Sequence, residues 1–325
     1  MRYFTLISIV EQLPNEVVTL VWGVTSFACI PLDTFLSSGT PSAISEIVAP
    51  DWILDARFID STTIALVTAH NTLHTYSLKT NTFNHRYNCQ EQSLLYAAQI
   101  FLLPGEKGDV LVATGTVFNE IQLWRPFAGH STKSPTTVPI SARLIGHEGC
   151  IFSIRFNDAG TLLASCSDDR TIRLWDVETQ TTLAIGYAHI ARVWEVRFLP
   201  PTDIDGEKIY LLSSSEDTTA LLWEYSIAKR KLMVQERYHG HTGKHVWSQA
   251  ISSDGKSAAT GGNDGTVNVW HLDGWRDRVG VGRKNDVFWT EEAIRVNVDG
   301  KELIDSIRGY RCVDEDTLLL TTQSG

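Results

Sequence analysis

The chain has 325 residues, 38 acidic and 28 basic, for a formal net charge of −10. That balance excludes broad, sequence-independent affinity for nucleic acid, which depends on neutralising phosphates with Lys and Arg. The five cysteines (Cys29, Cys89, Cys150, Cys166, Cys312) form no C-x-x-C pair and no metal-like spacing with His, which excludes a disulfide framework and a zinc finger.

No metal site and no cofactor is expected. The cysteines read as small apolar strand residues of a reducing compartment, and the absence of an Asn-x-Ser/Thr sequon agrees with that. Residues 1–10 lack a long apolar core and a small-residue cleavage site. No apolar run approaches the roughly 18 residues of a membrane span. A cytoplasmic protein with no membrane span is expected.

In chain order, the runs Val17 to Gly23 and Ser26 to Leu32 read as a strand pair, followed by a Ser/Thr/Gly/Pro-rich loop at 37–45. Leu66 to Tyr76 carries a strand rhythm around a turn at His70. Thr114 stands ten residues before Trp124, with Phe118 in the turn between them. A Ser- and Pro-rich stretch at 130–139 reads as a loop. Three clear units follow, at 146–185, 188–237 and 239–273. An insertion at 273–301 breaks the rhythm with Trp275, Trp289 and mixed charges. The pairs Gly309 to Val313 and Thr317 to Thr322 open a partial last unit at 304–325. The basic clusters Lys229-Arg230-Lys231 and Arg276, Arg278, Arg283, Lys284 read as solvated loops. Gly280-Val281-Gly282 lacks the strand and helix of a phosphate loop.

The three clear units repeat one pattern: His147…Ser165…Asp169…Trp175, His189…Ser213…Asp217…Trp223 and His241…Thr260…Asp264…Trp270. In each, the Asp lies six residues and the hydroxyl residue ten residues before the Trp, and the Trp residues are 48 and 47 apart. A period of this length, with Gly-His at one end and Trp-Asp at the other, predicts four-stranded β-propeller blades. Thr171-Ile172-Arg173-Leu174-Trp175 alternates polar and apolar, which predicts a half-buried strand. At about 45 residues per blade the chain has room for about seven blades, one all-β domain over 1–325. The terminal blades look incomplete: either Met1–Val10 supplies a closing strand or, the favoured expectation, the chain is a piece of something longer.

The repeated side chains can form a hydrogen-bonded chain, because Trp donates, a hydroxyl donates and accepts, and a carboxylate accepts. His and Asp also look like acid–base machinery. An active site is not copied three times, however, so a blade-locking network is the expected role and no enzyme is expected. No other nucleophile with an assigned base appears.

The whole pattern resembles WD40-repeat propellers. A narrower resemblance rests on Ala188-His189-Ile190-Ala191-Arg192-Val193-Trp194, Gly146-His147-Glu148-Gly149-Cys150 and His239-Gly240-His241-Thr242-Gly243-Lys244-His245-Val246-Trp247. It is similar to the WD-repeat regulatory subunit of the tRNA wobble-position (34) 2′-O-methyltransferase. The resemblance implies a non-catalytic partner of a separate Rossmann-type, S-adenosylmethionine-dependent methyltransferase, with tRNA reached through the complex. Phe152, Trp194 and Trp247 share one strand position and read as core aromatics. Cys150, Arg192 and His245 fall two residues earlier and are the candidate partner-binding residues. Arg192 either bonds an Asp of a neighbouring blade or contacts a partner. The alternative to the methyltransferase scaffold is a general WD40 adaptor in protein turnover, vesicle traffic or signalling. An enzyme with a site in the central channel needs a metal or carboxylate cluster that the sequence does not show.

Overall fold

The computed structural model describes residues 7–12, 17–22, 25–31, 46–105, 108–128, 134–201, 207–272, 289–291, 295–298, 301–304, 307–312 and 318–322. All regular elements among them are strands. The loop expected at 37–45, the Gly280-Val281-Gly282 run, the Arg276–Lys284 cluster and most of the 273–301 insertion lie outside the described residues. The chain divides into two compact units, Thr5–Gly146 and His147–Gly325.

The unit Thr5–Gly146 holds three sheets. The first runs β1 (Ile7–Gln12), β2 (Val17–Trp22), β3 (Ser26–Pro31) and β4 (Ile47–Val48), antiparallel throughout. The strand pair read at 17–32 is β2 and β3. The second sheet contains β5 (Ile53–Asp60), β6 (Thr63–Thr68), β7 (Thr72–Ser77) and β8 (Thr82–Cys89). The third opens with β9 (Leu95–Leu102), β10 (Val110–Thr116) and β11 (Glu120–Trp124). The chain then places β12 (Thr136–Val138) parallel to β8, before β13 (Ile140–Ile145) completes the third sheet beside β11. The Ser- and Pro-rich stretch read as a loop therefore contains a short strand. Its strand residues, Thr136-Thr137-Val138, are all β-branched, a type that fits a pleated surface.

The unit His147–Gly325 holds three four-stranded antiparallel sheets. The fourth sheet is β14 (Ile151–Phe156), β15 (Leu162–Ser167), β16 (Thr171–Asp176) and β17 (Thr181–Tyr187). The fifth is β18 (Val193–Phe198), β19 (Lys208–Ser215), β20 (Thr219–Ser226) and β21 (Lys231–His239). The sixth is β22 (Val246–Ile251), β23 (Ser257–Gly262), β24 (Val267–His271) and β25 (Trp289–Glu291). Two pairs follow: β26 (Arg295–Val298) with β27 (Lys301–Ile304), and β28 (Ile307–Cys312) with β29 (Leu318–Thr322).

The tight turn between the second and third strands has one conformation in five sheets. Its third residue takes a left-handed backbone, with Asn71 at φ 55°, Asn119 at 67°, Arg170 at 69°, Thr218 at 72° and Gly265 at 71°. Asn and Gly tolerate that region well, and Thr tolerates it poorly.

The strand Thr171–Trp175, expected to be half-buried, buries residues of both faces and leaves only Arg173 partly exposed. Along β20 every residue is buried, and alternate side chains part to opposite cores. Leu221, Trp223 and Tyr225 pack with Ile172 and Leu174 of the fourth sheet. Ala220 and Leu222 pack with Ala258 and Trp270 of the sixth. A sheet with a neighbour on each face has no solvent side, so polar–apolar alternation loses its usual meaning. Buried acids add hydrogen bonds across the gap between sheets. Glu195 Oε2 accepts from the Gln249 backbone N–H at 2.8 Å, and in the other unit Asp55 Oδ2 accepts from that of Ile100 at 2.6 Å.

Candidate partner-binding surface

The structure brings each repeated quartet together. In the fourth sheet Trp175 Nε1–H donates to Ser165 Oγ at 2.8 Å, and Ser165 Oγ lies 2.7 Å from His147 Nε2. His147 Nδ1 lies 2.8 Å from Asp169 Oδ2. With a neutral imidazole, the acceptor-only carboxylate takes Nδ1–H and Ser165 donates to Nε2. Asp169 also accepts from the backbone N–H groups of Glu148 and Thr171 and from the Thr171 hydroxyl. The fifth sheet repeats the chain through Trp223, Ser213, His189 and Asp217, with each step at 2.8 Å. The sixth does so through Trp270, Thr260, His241 and Asp264, at 2.7 to 3.1 Å.

Burial alone would raise the three carboxyls. The His hydrogen bond and charge, with the neighbouring N–H donors, outweigh it and hold Asp169, Asp217 and Asp264 well below the usual carboxylate range. Burial pushes His147 down against the pull of Asp169, so the imidazole sits neutral between a hydroxyl and a carboxylate. The Ser–His–Asp distances match a nucleophile relay. Burial does not: Ser165, Ser213 and Thr260 have no exposed surface, and a Trp N–H occupies each hydroxyl oxygen. These three sets offer no nucleophile that a substrate can reach.

Cys150, Arg192 and His245 occupy equivalent places. Each carbonyl accepts from the backbone N–H of the residue before the network Asp, from Asp168, Glu216 and Asn263 respectively. Trp52 and Leu94 make the same bond in the second and third sheets, to Ala69 and Val117. These five residues mark one end of each sheet, called the turn end below. Arg192 Nε lies 2.6 Å from Asp168 Oδ1 and 3.8 Å from Glu216 Oε2, so it bonds an Asp of the preceding sheet. Its side chain nevertheless remains half exposed. His245 Nε2 lies 3.9 Å from Glu216 Oε1.

Two residues past these positions, register shifts in β14, β18 and β22 leave Phe152, Trp194 and Trp247 as single bulged residues. They are half-buried rather than core. The three form a row, with centroids 4.6 Å apart from Phe152 to Trp194 and 4.4 Å from Trp194 to Trp247. The His245 ring stacks on Trp247 at 4.7 Å and 12°.

The third sheet departs from this plan, and only part of that departure is legible in the residues. Phe118 stands where the fourth, fifth and sixth sheets have Asp. Glu91 lies two residues past the end of β8, the place that His147, His189 and His241 take past β13, β17 and β21. Around them a different set assembles. Gln122 accepts from Asn71 Nδ2 at 2.8 Å and donates to Glu91 at 3.0 Å and Glu120 at 3.1 Å. Arg143 bridges Glu91 and Glu120. Thr114 Oγ1 turns to the Gln122 carbonyl, and Trp124 Nε1 is buried with no hydrogen-bond partner among the described residues. Counting from strand ends locates Glu91. No spacing rule announces Asn71, Gln122 or Arg143.

The described residues contain no group of three or more His, Cys, Asp or Glu able to hold a metal ion, and no helix long and apolar enough to cross a membrane.

Turn-locked, four-stranded antiparallel sheets with these repeats are WD40 propeller blades. The WD domain, G-beta repeat family matches residues 139–176 and 233–271. Each match begins at or within the last strand of one sheet, β13 or β21, and ends with the Trp strand of the next, so repeat and sheet are offset by one strand. The fifth sheet has the full quartet outside these matches, with 24 residues from His189 to Ser213 against 18 and 19 in its neighbours. Over part of its length the chain resembles the "tRNA (34-2'-O)-methyltransferase regulator WDR6". It is 30% identical to the Bos taurus protein and 29% to the Homo sapiens protein, over 231 residues in each case. Those residues are 69% of this chain and 19% of each relative, so the chain spans about a fifth of the regulators it matches. It is also 28% identical to the "Nuclear distribution protein PAC1" of Arthroderma otae, over 239 residues, 65% of this chain and 48% of the relative.

Proposed function

We propose that this chain is a non-catalytic WD40 scaffold that acts in the cytoplasm. It docks a Rossmann-type, S-adenosylmethionine-dependent tRNA 2′-O-methyltransferase and supports ribose methylation of the wobble nucleotide. The observation that carries this reading is the similarity over 69% of the chain to regulators named for that enzyme. The acidic balance supports a role in which tRNA is met mainly through the partner. Within this reading the three His–Ser/Thr–Asp–Trp sets lock their blades. Their carboxylates and hydroxyls spend their hydrogen-bonding capacity inside the sheet. Cys150, Arg192 and His245, beside the Phe152–Trp194–Trp247 row, are the candidate contacts. Arg192 is held in place by Asp168 and Glu216 yet half open to solvent, the posture of an interface anchor.

The test is calorimetric titration of the chain with the purified methyltransferase, followed by methylation of tRNA with and without the chain. Binding that weakens about tenfold in Arg192→Ala, together with stimulated methylation, is expected. Absence of binding by the unaltered chain sinks the reading. The general adaptor reading keeps one specific support, the similarity to the nuclear distribution protein.

A further inference from the structure

The third sheet carries apolar side chains where a soluble turn end needs none. Leu94 is 43% exposed, Tyr96 50%, Phe118 72% and Ile145 71%. Topology sets all four at the same end. Leu94 and Tyr96 flank the start of β9, Phe118 is in the β10–β11 turn, and Ile145 ends β13 opposite Glu120. With the strands in the order β13-β11-β10-β9 and about 4.8 Å apart, they form one row. Phe118 adds almost nothing to the sheet's own packing, because most of its surface meets water. The Asp of the fourth, fifth and sixth sheets would suit that turn better. A clustered, rimmed apolar patch on a soluble domain marks an interaction site.

The rim defines what fits. Glu91 and Glu120 stand beside the row and, among the described residues, share one cation, Arg143, so the two carboxylates carry one negative charge beyond it. The chain as a whole adds an acidic field of net charge −10. A segment of matching chemistry brings apolar anchors for the row and Lys or Arg for the carboxylates.

We propose that Leu94, Tyr96, Phe118 and Ile145, rimmed by Glu91 and Glu120, form a docking surface for a partner protein segment that carries apolar side chains flanked by Lys or Arg. The choice of a tRNA-modifying enzyme as that partner rests on the reading above, since an enzyme that grips phosphates displays basic residues. The chemistry of the segment rests on the patch alone.

Two measurements separate these claims, both with the full chain and a Phe118→Asp/Ile145→Lys variant whose circular-dichroism melt matches the unaltered chain. In the first, a displayed random-peptide library is selected on the unaltered chain and counter-selected on the variant. Enrichment of peptides with Leu, Ile, Phe or Trp beside Lys or Arg, and loss of their binding by tenfold or more on the variant, supports the surface. Enriched peptides that bind both forms alike, or that lack basic residues, overturn it. In the second, the purified methyltransferase is titrated against both forms. Tenfold weaker binding to the variant assigns the enzyme to this surface. Equal binding places the enzyme elsewhere and refutes that assignment. If selected peptides bind the patch while the enzyme binds neither form, the surface stands and the methyltransferase reading falls. Concentration-dependent self-association in sedimentation, abolished by the variant, would give the row to a second copy of the chain and overturn the proposal.

Discussion

The fourth and third sheets use the same four-stranded plan and solve the same problem differently. In the fourth, a Trp N–H, a hydroxyl, an imidazole and a carboxylate bond in sequence, so no buried polar atom along that path lacks a partner. In the third, Phe118 and Glu91 stand at the Asp and His places. The polar set moves to Asn71, Gln122, Glu91, Glu120 and Arg143, and the buried Trp124 N–H has no partner among the described residues. The first arrangement places its polar capacity inside the sheet. The second brings ion pairs to the turn end and sets an apolar row beside them. Removing a lock costs stability, whereas editing the second turn leaves stability alone and changes what the surface attracts.

The largest expected effect breaks the lock. Asp217→Ala leaves His189 and the Ile190 and Thr219 N–H groups without their acceptor in a site whose His and Asp side chains are each 1% exposed. It should lower unfolding stability by about 3 kcal/mol. Phe118→Asp at the equivalent turn should change it by no more than about 0.5 kcal/mol, because no His waits for that carboxylate. Urea midpoints of the two variants decide the matter, and similar losses in both would remove the distinction between the sheets.

Acid sharpens the comparison next. His74, in the second sheet, is pushed down to about 4 by burial and by Arg86, against the pull of Asp51. His147 is pushed down by burial. Both are neutral in the fold, while an unfolded imidazole takes up its proton near 6.5. Their contribution is therefore complete above pH 6.5 and shrinks as the pH falls below it, for His74 down to about 4. Asp169, Asp217 and Asp264 have folded values below the unfolded 3.8, so their contribution is complete above about pH 4 and is lost below it. The melting temperature should fall gently from pH 6.5 to 4 and steeply below. A melting temperature that rises on acidification from 6.5 to 4.5 contradicts the neutral-imidazole assignment.

The smallest effect concerns one proton. Trp223→Phe and Trp124→Phe remove similar ring area from buried sites, but only Trp223 gives up a hydrogen bond. Trp223→Phe should cost about 1 kcal/mol more. Equal costs in denaturant titrations would mean that the Ser213 hydroxyl re-pairs freely.

The blades were legible because their markers are local and periodic. Asp six residues and Ser or Thr ten residues before Trp reflect a fixed hairpin register, in which Ser165 pairs with Arg173 and Leu163 with Trp175. Periodicity did not reveal two-sided burial, since Thr171 and Ser213 are polar and still lie inside. For Arg192 both readings stayed open in the sequence. The bond to Asp168 is visible only once two sheets stand side by side. The third sheet's set was hidden for the same reason. Asn71 and Gln122 are 51 residues apart and meet only because two turns do. The apolar row is half legible in the sequence: Phe118 sits in the turn where the clear repeats have Asp, whereas Leu94, Tyr96 and Ile145 look like ordinary strand-end residues.

One short element bears on the protein's behaviour outside its complexes. Without β12, strand β8 would present a row of unpaired backbone donors and acceptors at the margin of the second sheet, a template on which another chain can add a strand. Thr136-Thr137-Val138 covers the Tyr87–Cys89 end of that margin from within the same molecule. The stretch around it thus serves as a guard against clumping, and its worth lies in the solubility of concentrated protein rather than in the melting point.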